Sequence, residues 1–470
     1  MPSDDYSILI FHGTVIHSTS PSSLHILQDA LLIVSDTTAP DPGRILVLKP
    51  NVPRAAIQET LAIIALVSNI GFLSSTGVRH LQPGQFLIPG FVDTHNHAPQ
   101  YLQRGLGQGM HILDWLDQIT FPQEARFADP DHARHVYPRL VRSMLRQGIT
   151  TASYYASTHA PATNILAESC LEAGQRALIG KCNMDNPSTC PEYYRDASAA
   201  ESLQATEDCI RHIRSIDPQA TLIRPVLTPR FAISCTRDLL TGLGAIAARE
   251  PDIPIQTHFN EAQQEIDATL SLFPEFNNEV DLYSSFGLLT PRSILAHCTI
   301  MSSEETEKLA SLGCGVAHCP TANMTVGGGF MAAPIRDFLS RGIKVGLGTD
   351  VGGGYSSSML NAMRHSLIAS FSREALYDGG AGSGLTLEEV FHMATLGGAQ
   401  VAGLADQIGN FEVGRQFDAM IVDMRDERLG VNAPVEDQDG PRTVLDKFIM
   451  TGDDRNISEV FIRGKSVHTA

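Results

Sequence analysis

The sequence predicts an α/β protein: a (β/α)8, TIM-like barrel with a small accessory β-sandwich domain assembled from both chain termini. Three observations predict it. Short apolar runs alternate with helix-like stretches through the middle of the chain, the pattern of successive parallel βα units. Segments rich in short strands and turn residues flank that middle on both sides. Several of the middle runs end abruptly on ionisable side chains, as strands do at the mouth of a barrel. The expected organisation places residues 1–84 and 405–470 in the β-sandwich and residues 85–404 in the barrel.

Residues 6–16 (YSILIFHGTVI) read as β-structure with a turn at His12 and Gly13. Residues 30–35 (ALLIVS) and 44–48 (RILVL) read as short strands between Asp and Pro/Gly turns. The apolar run 61–73, broken by Ser68, Asn69 and Gly71, is expected to be a buried element; a membrane span needs ~20 residues. The first barrel strand is expected at 86–93 (FLIPGFVD). Residues 135–147 carry apolar side chains at helical spacing and stop at Gly148, before a strand at 150–155. Strands are expected at 176–184, 221–227, 253–258, 293–297, 314–318 and 344–350, with helices at 201–216, 237–249 and 303–312 among them. Short strands close the chain at 418–423, 447–451 and 459–462. The glycine runs 327–329 and 352–354 read as loop turns, because neither forms GxGxxG or precedes GK[ST].

Composition narrows the function. The 470 residues include 34 Lys plus Arg against 52 Asp plus Glu, a formal net charge of −18. That balance argues against non-specific binding to nucleic acid or to anionic membranes, both of which need basic patches. Eight cysteines are scattered without a CxxC pair, and the acidic start MPSDDY lacks the pattern of a signal peptide. Reduced thiols in a cytoplasmic protein are the expectation.

The chemistry concentrates at strand ends. In FVDTHNH (91–97), His95 and His97 are separated by one residue, so on a strand they project from the same face. Later strands end in His258, His297 and Asp350, and Glu261 follows His258 by three residues. Apolar strands that each end in one ionisable group are poorly explained by core packing. Imidazoles plus a carboxylate suit Zn²⁺ or Fe²⁺. A metal lowers the pKa of bound water to ~7, and the nucleophile so formed needs a proton carrier beside it, the role that Glu261 is placed to fill. His318, ending another strand, reads as a structural histidine, and His159 as a weaker pocket candidate.

PGFVDTHNHAPQY (89–101) with HFNE (258–261), His297 and Asp350 resembles the amidohydrolase superfamily in its mononuclear deaminase branch. TPRFAISC (228–235), RALIGKCNMD (176–185), AHCPTAN (317–323), VGLGTDVGGGY (345–355), GNFEVGRQF (409–417) and GDDRNI (452–457) are similar to segments of guanine deaminases. APQY and TPRF are the specific part, and the likeness runs from about residue 6 to the C-terminus.

The resemblance implies one zinc ion per chain, held by His95, His97, His258 and Asp350. It implies catalytic roles for Glu261 as proton shuttle, for Asp350 as a second proton acceptor and for His297 beside the reacting water. It implies substrate contacts from Gln100, Arg230, Phe231, His97 and Glu261. The implied reaction is attack of metal-activated water on C2 of guanine, giving xanthine and ammonia in purine catabolism, by a homodimer. The neutral, polar-edged purine suits one aromatic face from Phe231, a fork from Arg230 and the amide of Gln100. Other aminohydrolases of the superfamily, acting on related purines or thioether nucleosides, share the metal-site pattern but are separated by APQY and TPRF. A cytidine-type zinc deaminase is excluded because the chain has no CxxC. Three departures from the family pattern stand out. Asn96 between the two histidines is expected to matter little, residues 323–330 are unusually glycine-rich, which predicts a more mobile loop over the pocket, and residues 36–80 match poorly.

Overall fold

The computed structural model describes residues 8–35, 42–68, 77–326, 331–377, 382, 384–426 and 434–470. The glycine run 327–329, with residue 330 of the glycine-rich loop 323–330, lies outside them. In chain order the N-terminal strands are β1 (Leu9–Ser20), β2 (Ser23–Val34), β3 (Ile45–Lys49), β4 (Val78–His80) and β5 (Gln85–Pro89). Ten strands follow: β6 (Phe91–His97), β7 (Ile149–Tyr155), β8 (Arg176–Gly180), β9 (Cys182–Asn183), β10 (Ile223–Pro225), β11 (Thr228–Pro229), β12 (Ile255–Phe259), β13 (Ser293–His297), β14 (Gly315–His318) and β15 (Lys344–Leu347). The chain closes with β16 (Ala419–Asp423), β17 (Ile457–Ile462) and β18 (Lys465–Thr469).

The terminal strands share one eight-stranded sheet in the order β18-β17-β16-β5-β1-β2-β3, with β4 beside β1. Alternation along β1 and β2 sends side chains to opposite faces. Phe11, Val15, Leu32 and Val34 pack with Phe417, Ile421 and Phe461 on one face. Ile10, Leu31 and Ile33 pack with Val52, Ile57 and Leu61 on the other.

Three expectations for these segments are corrected. β1 does not turn at His12 and Gly13. It continues as a strand with a register shift between Gly13 and Val15, where a Cβ on Gly13 would come within 2.6 Å of the Leu81 Cβ. The run beginning at Leu61 is not wholly buried. It lies in the helix Ile57–Ser68, which presents only one stripe to the sheet, so Ile63, Leu66 and Val67 are exposed; residues 69–76 lie outside the described part. Residues 447–451 are not a strand but the end of the helix Pro441–Thr451. Its buried Val444, Leu445, Phe448 and Ile449 recur at helical spacing, which a five-residue window cannot reveal.

The middle strands pair in parallel. One set runs β10-β8-β7-β6, another runs β12-β13-β14-β15, and β11 pairs β9. Helices connect them, among them Pro130–Arg146, Ala160–Ala173, Ala199–Ile216, Arg237–Arg249 and Ser303–Leu312. The last three agree with the sequence expectation to within two residues, because each opens on a local start signal: Ser198, Thr236 and Ser302 accept from the backbone of the first turn. The two sets are joined at both sides. Leu227 N donates to Pro254 O (2.9 Å) and Gln256 N to Leu227 O (2.8 Å). On the other side Thr94 Oγ1 donates to Leu347 O (2.9 Å), Asp350 N to His95 O (2.9 Å) and His97 N to Val351 O (3.0 Å).

A buried ion pair fastens the parallel strands to the terminal sheet. Arg176, the first residue of β8, donates through Nε to Asp418 Oδ2 (3.0 Å), just before β16, and through Nη2 to Gln416 (2.6 Å). Both charged side chains are buried. Asp418→Ala leaves the guanidinium unpaired away from water, a loss of about 3–5 kcal/mol. The expected result is a clearly lower denaturation midpoint; an unchanged midpoint would show that the pair does not join the two parts.

Candidate metal centre and substrate pocket

The carboxyl ends of β6, β12, β13 and β15 converge. His95 and His97 leave β6 on its inward face, as a spacing of two on a strand requires. The ligand atoms of His95, His97 and His258 lie within 4.8 Å of one another. His97 Nε2 is 3.1 Å from His258 Nε2. Asp350 Oδ1 is 3.2 Å from His95 Nε2 and 3.5 Å from His97 Nε2. Four ligands at ~2.0–2.1 Å around a tetrahedral zinc are separated by about 3.3 Å, so these spacings fit one ion.

The donor chemistry fits as well. Burial pushes the pKa of His95, His97 and His258 well below the ordinary imidazole value, which keeps them neutral and able to ligate. His258 Nδ1 donates to Arg230 O (2.6 Å), turning a bare Nε2 inward. His97 Nε2 approaches that bare nitrogen to 3.1 Å, a spacing that two ligands of one cation would have. His95 Nε2 is buried with no hydrogen-bond partner. A close approach of backbone supports the cluster: a Cβ on Gly348 would come within 2.8 Å of both His95 Cβ and Cys319 Sγ.

Glu261 and His297 adjoin this group. His297 Nδ1 donates to Asn323 Oδ1 (2.7 Å), so its Nε2 is free; it lies 3.5 Å from Glu261 Oε1 and 4.0 Å from Asp350 Oδ2. Glu261 Oε2 is buried without a partner. Burial, then the Asp350 and Glu265 carboxylates, push the Glu261 pKa well above the ordinary carboxyl value, the direction that favours its holding a proton. Asn260, His297 and Asp350 all adopt left-handed backbone (φ 45°, 77° and 47°). Each such residue costs about 1–3 kcal/mol and persists where the surroundings over-determine it.

A narrow cleft opens beside the metal group. Its polar lining includes Gln100, Arg230, His97, His258, Glu261 and Asp350, and its apolar wall includes Ile112, Trp115, Leu116, Phe231 and Val326. Phe231 packs edge-on against His258, with ring centroids 5.1 Å apart. Seven of the predicted site residues, His97, Gln100, Arg230, Phe231, His258, Glu261 and Asp350, line this cleft, and His95 and His297 sit behind it, against Asp350 and Glu261 respectively. His159, which packs beside Tyr194, is not among the residues lining it, and His318 lies outside the metal group with Nδ1 unpartnered.

Sequence reasoning missed four contributors. Glu124, fully buried, pairs with Arg230 through both terminal nitrogens. Trp115, the one tryptophan in the chain, walls the cleft; its rarity was the available signal. Asn323 orients His297, and Asp93 braces the strand ends. Asp93 Oδ1 accepts from Thr349 N (2.9 Å) and its Oδ2 from Thr349 Oγ1 (2.5 Å). Asn96 is corrected on this point. It does point away from the metal group, but its Nδ2 donates to Asp93 (2.9 Å) and Thr349 (3.1 Å), so it is part of the brace.

With this geometry in place, the comparisons with known proteins identify the class. The chain belongs to the amidohydrolase family, whose model matches residues 86–467. Within that family it is similar to guanine deaminases. It is 40% identical over 461 residues to the guanine deaminase of Rattus norvegicus, covering 98% of this chain and 96% of that protein. It is 40% identical over 464 residues to a probable guanine deaminase of Schizosaccharomyces pombe, covering 99% and 84%. A crystal structure of guanine deaminase from C. acetobutylicum with guanine bound in its active site superposes with a TM-score of 0.85, at 29% identity, covering 98% of this chain and all of that one.

The ligand geometry predicts a divalent ion that survives purification without added metal. Elemental analysis should find about one per chain, and His258→Ala should lose it, since removing one of four donors leaves an incomplete site. Full metal content in His258→Ala would exclude this residue as a ligand.

Proposed function

We propose that this chain is a guanine deaminase, hydrolysing guanine to xanthine and ammonia in purine catabolism with one zinc ion per chain. The observation that carries the reading is the joining of two parts in one cleft. A three-histidine, one-aspartate group adjoins an unpartnered buried glutamate, and a slot with one aromatic face and polar edges lies beside it. The identity to guanine deaminases supports it.

In this reading His95, His97, His258 and Asp350 hold the zinc. When bound, zinc supplies a water acidified to a pKa of ~7. The chain's own residues do the rest. Glu261 takes a proton from the attacking water, passes it to the ring nitrogen beside C2, and supplies the proton with which ammonia leaves. Asp350, whose own pKa burial also raises, shares the water's second proton. His297 offers its free Nε2 to the same water. Phe231 covers one face of the base, Arg230 and Gln100 hold its edge, and His97 borders it. The apolar wall of Trp115, Leu116 and Val326 keeps bulk water from competing.

We also read the parallel strands as closing into a (β/α)8 barrel that begins at β6 and not at residue 85 as expected, because β5 (Gln85–Pro89) pairs with β1 and β16 in the terminal sheet. The hydrogen bonds at both joins support that closure. The terminal sheet, wrapped around Phe11, Phe417 and Phe461, is then the accessory β-sandwich expected from residues 1–84 and 405–470, with β5 added to it. A cytoplasmic setting is supported by eight cysteines that are all buried and unpaired. No helix among the described residues is long and apolar enough to cross a membrane. A homodimer is supported by the family resemblance and by the exposed apolar side chains Tyr355, Ile368 and Phe371.

Two measurements test the reading. Glu261→Gln keeps shape and removes the proton carrier, so kcat should fall by at least ~10²–10⁴-fold with metal retained; a near-normal kcat would reduce Glu261 to a structural carboxylate. Wild type should release ammonia from guanine and essentially none from adenine, whose six-position amino group would face the Arg230 donors. A site built around such a hydrogen bond rejects the unmatched analogue by ~10⁴-fold or more. Arg230→Ala should lower kcat/KM for guanine with metal content unchanged. Equal turnover of adenine and guanine by wild type would overturn the substrate assignment and leave the metal-hydrolase class standing.

A further inference from the structure

Glu124 lies in the short helix Phe121–Ala125, fully buried. Four donors converge on its two oxygens. Oε1 accepts from Gln100 Nε2 (2.7 Å) and Arg230 Nη2 (3.1 Å). Oε2 accepts from Arg230 Nη1 (2.6 Å) and from the Tyr194 hydroxyl. Gln100 Oε1 accepts in turn from Gly352 N (3.0 Å), which fixes the orientation of the amide. One carboxylate therefore grips both Gln100 and Arg230, the two side chains assigned to the edge of the base.

The grip is directional. Glu124 occupies the end of the guanidinium, through both terminal nitrogens. Arg230 Nε is buried with no partner among the described residues. The edge left open is the side of the group, Nε–H with a remaining terminal N–H, a second parallel fork. A fork of this kind matches a carbonyl oxygen and neighbouring ring nitrogen of guanine. Charge follows the same geometry. Guanine is neutral, whereas xanthine, with a carbonyl in place of the amino group, is the stronger acid. An unbalanced guanidinium in a water-poor slot would hold the anionic product strongly; one already paired with a carboxylate does so far less.

We propose that Glu124 is a positioning and specificity-determining residue. It turns the side edge of Arg230 and the amide of Gln100 to the base, and it cancels the guanidinium charge so that the slot takes neutral guanine and releases anionic xanthine. This inference rests on the guanine deaminase reading. An ordinary structural ion pair would not need the shared grip on Gln100 or leave a buried Nε open.

The test compares wild type, Glu124→Gln, Arg230→Met and the double variant. Guanine kinetics and inhibition by xanthine are followed from neutral to alkaline pH. Glu124→Gln should raise KM for guanine at least about tenfold while kcat stays within about threefold. It should also tighten xanthine inhibition, the more so as pH rises and more xanthine is ionised. Because Glu124 acts mainly through Arg230, with only its grip on Gln100 left in the Arg230→Met background, the double variant should show a KM well below that of two independent effects combined. The double variant removes both charges of the pair, so it answers the question even where Glu124→Gln alone fails to fold. Unchanged KM and xanthine inhibition in Glu124→Gln, or additive KM effects in the double variant, overturn the inference. A wild type that releases no ammonia from guanine overturns the parent reading; an active wild type with a silent Glu124 overturns only this one.

Discussion

The site depends on the seam between β15 and β6. Asp350 stands 255 residues after His95 in the chain, and no local preference brings the two together. The seam does so through backbone and side chain at once: Asp350 N on His95 O, Thr94 on Leu347 O, and Thr349 on the buried carboxylate of Asp93. Burial raises the Asp93 pKa to about 6, despite hydrogen bonds from Thr349, Asn96 and His95 that favour its charge. A carboxylate is an expensive tie in the interior, yet its two oxygens accept several donors at once, which no apolar residue and no single hydroxyl could do.

Three buried cations follow the same logic, each answered by a carboxylate of fixed geometry. Arg176 meets Asp418, Lys181 meets Asp196, and Arg230 meets Glu124. The first joins two parts of the fold. The second holds the strand-end loops near Met184, since Asp196 also accepts from the Met184 backbone. The third faces the substrate slot. Pairs of this sort add little net stability compared with apolar packing, but they specify one arrangement, because a shifted partner leaves a bare charge in low dielectric.

Strain accumulates at the same place. Asn260, His297 and Asp350 take left-handed backbone where their strands end, so their side chains leave at angles that a continuing strand would not allow. The extensive core around them holds these conformations, and the neutral imidazoles gain from the same burial that would penalise their charged forms. Rigidity and electrostatics thus have a common origin in exclusion of water from the strand ends.

Much of this was legible in the sequence, for reasons of range. The spacing of His95 and His97 is a property of one strand, and the ends of the helices Arg237–Arg249 and Ser303–Leu312 are set by caps a few residues away. Strand-terminal His258, His297 and Asp350 stood out because an apolar run makes an ionisable end conspicuous. What the tertiary structure alone decided was long-range or ambiguous over a short window. Residues 447–451 suit a strand or a helix, and packing of Val444, Leu445 and Phe448 chose the helix. Asn96 looked idle until Asp93 and Thr349 surrounded it. Glu124 sits in a segment with no strand end or motif to mark it, and its importance comes entirely from Gln100, Tyr194 and Arg230 arriving from three distant parts of the chain. Local periodicity and capping act between near neighbours and can be read from sequence; a partner for a buried charge is supplied by the fold.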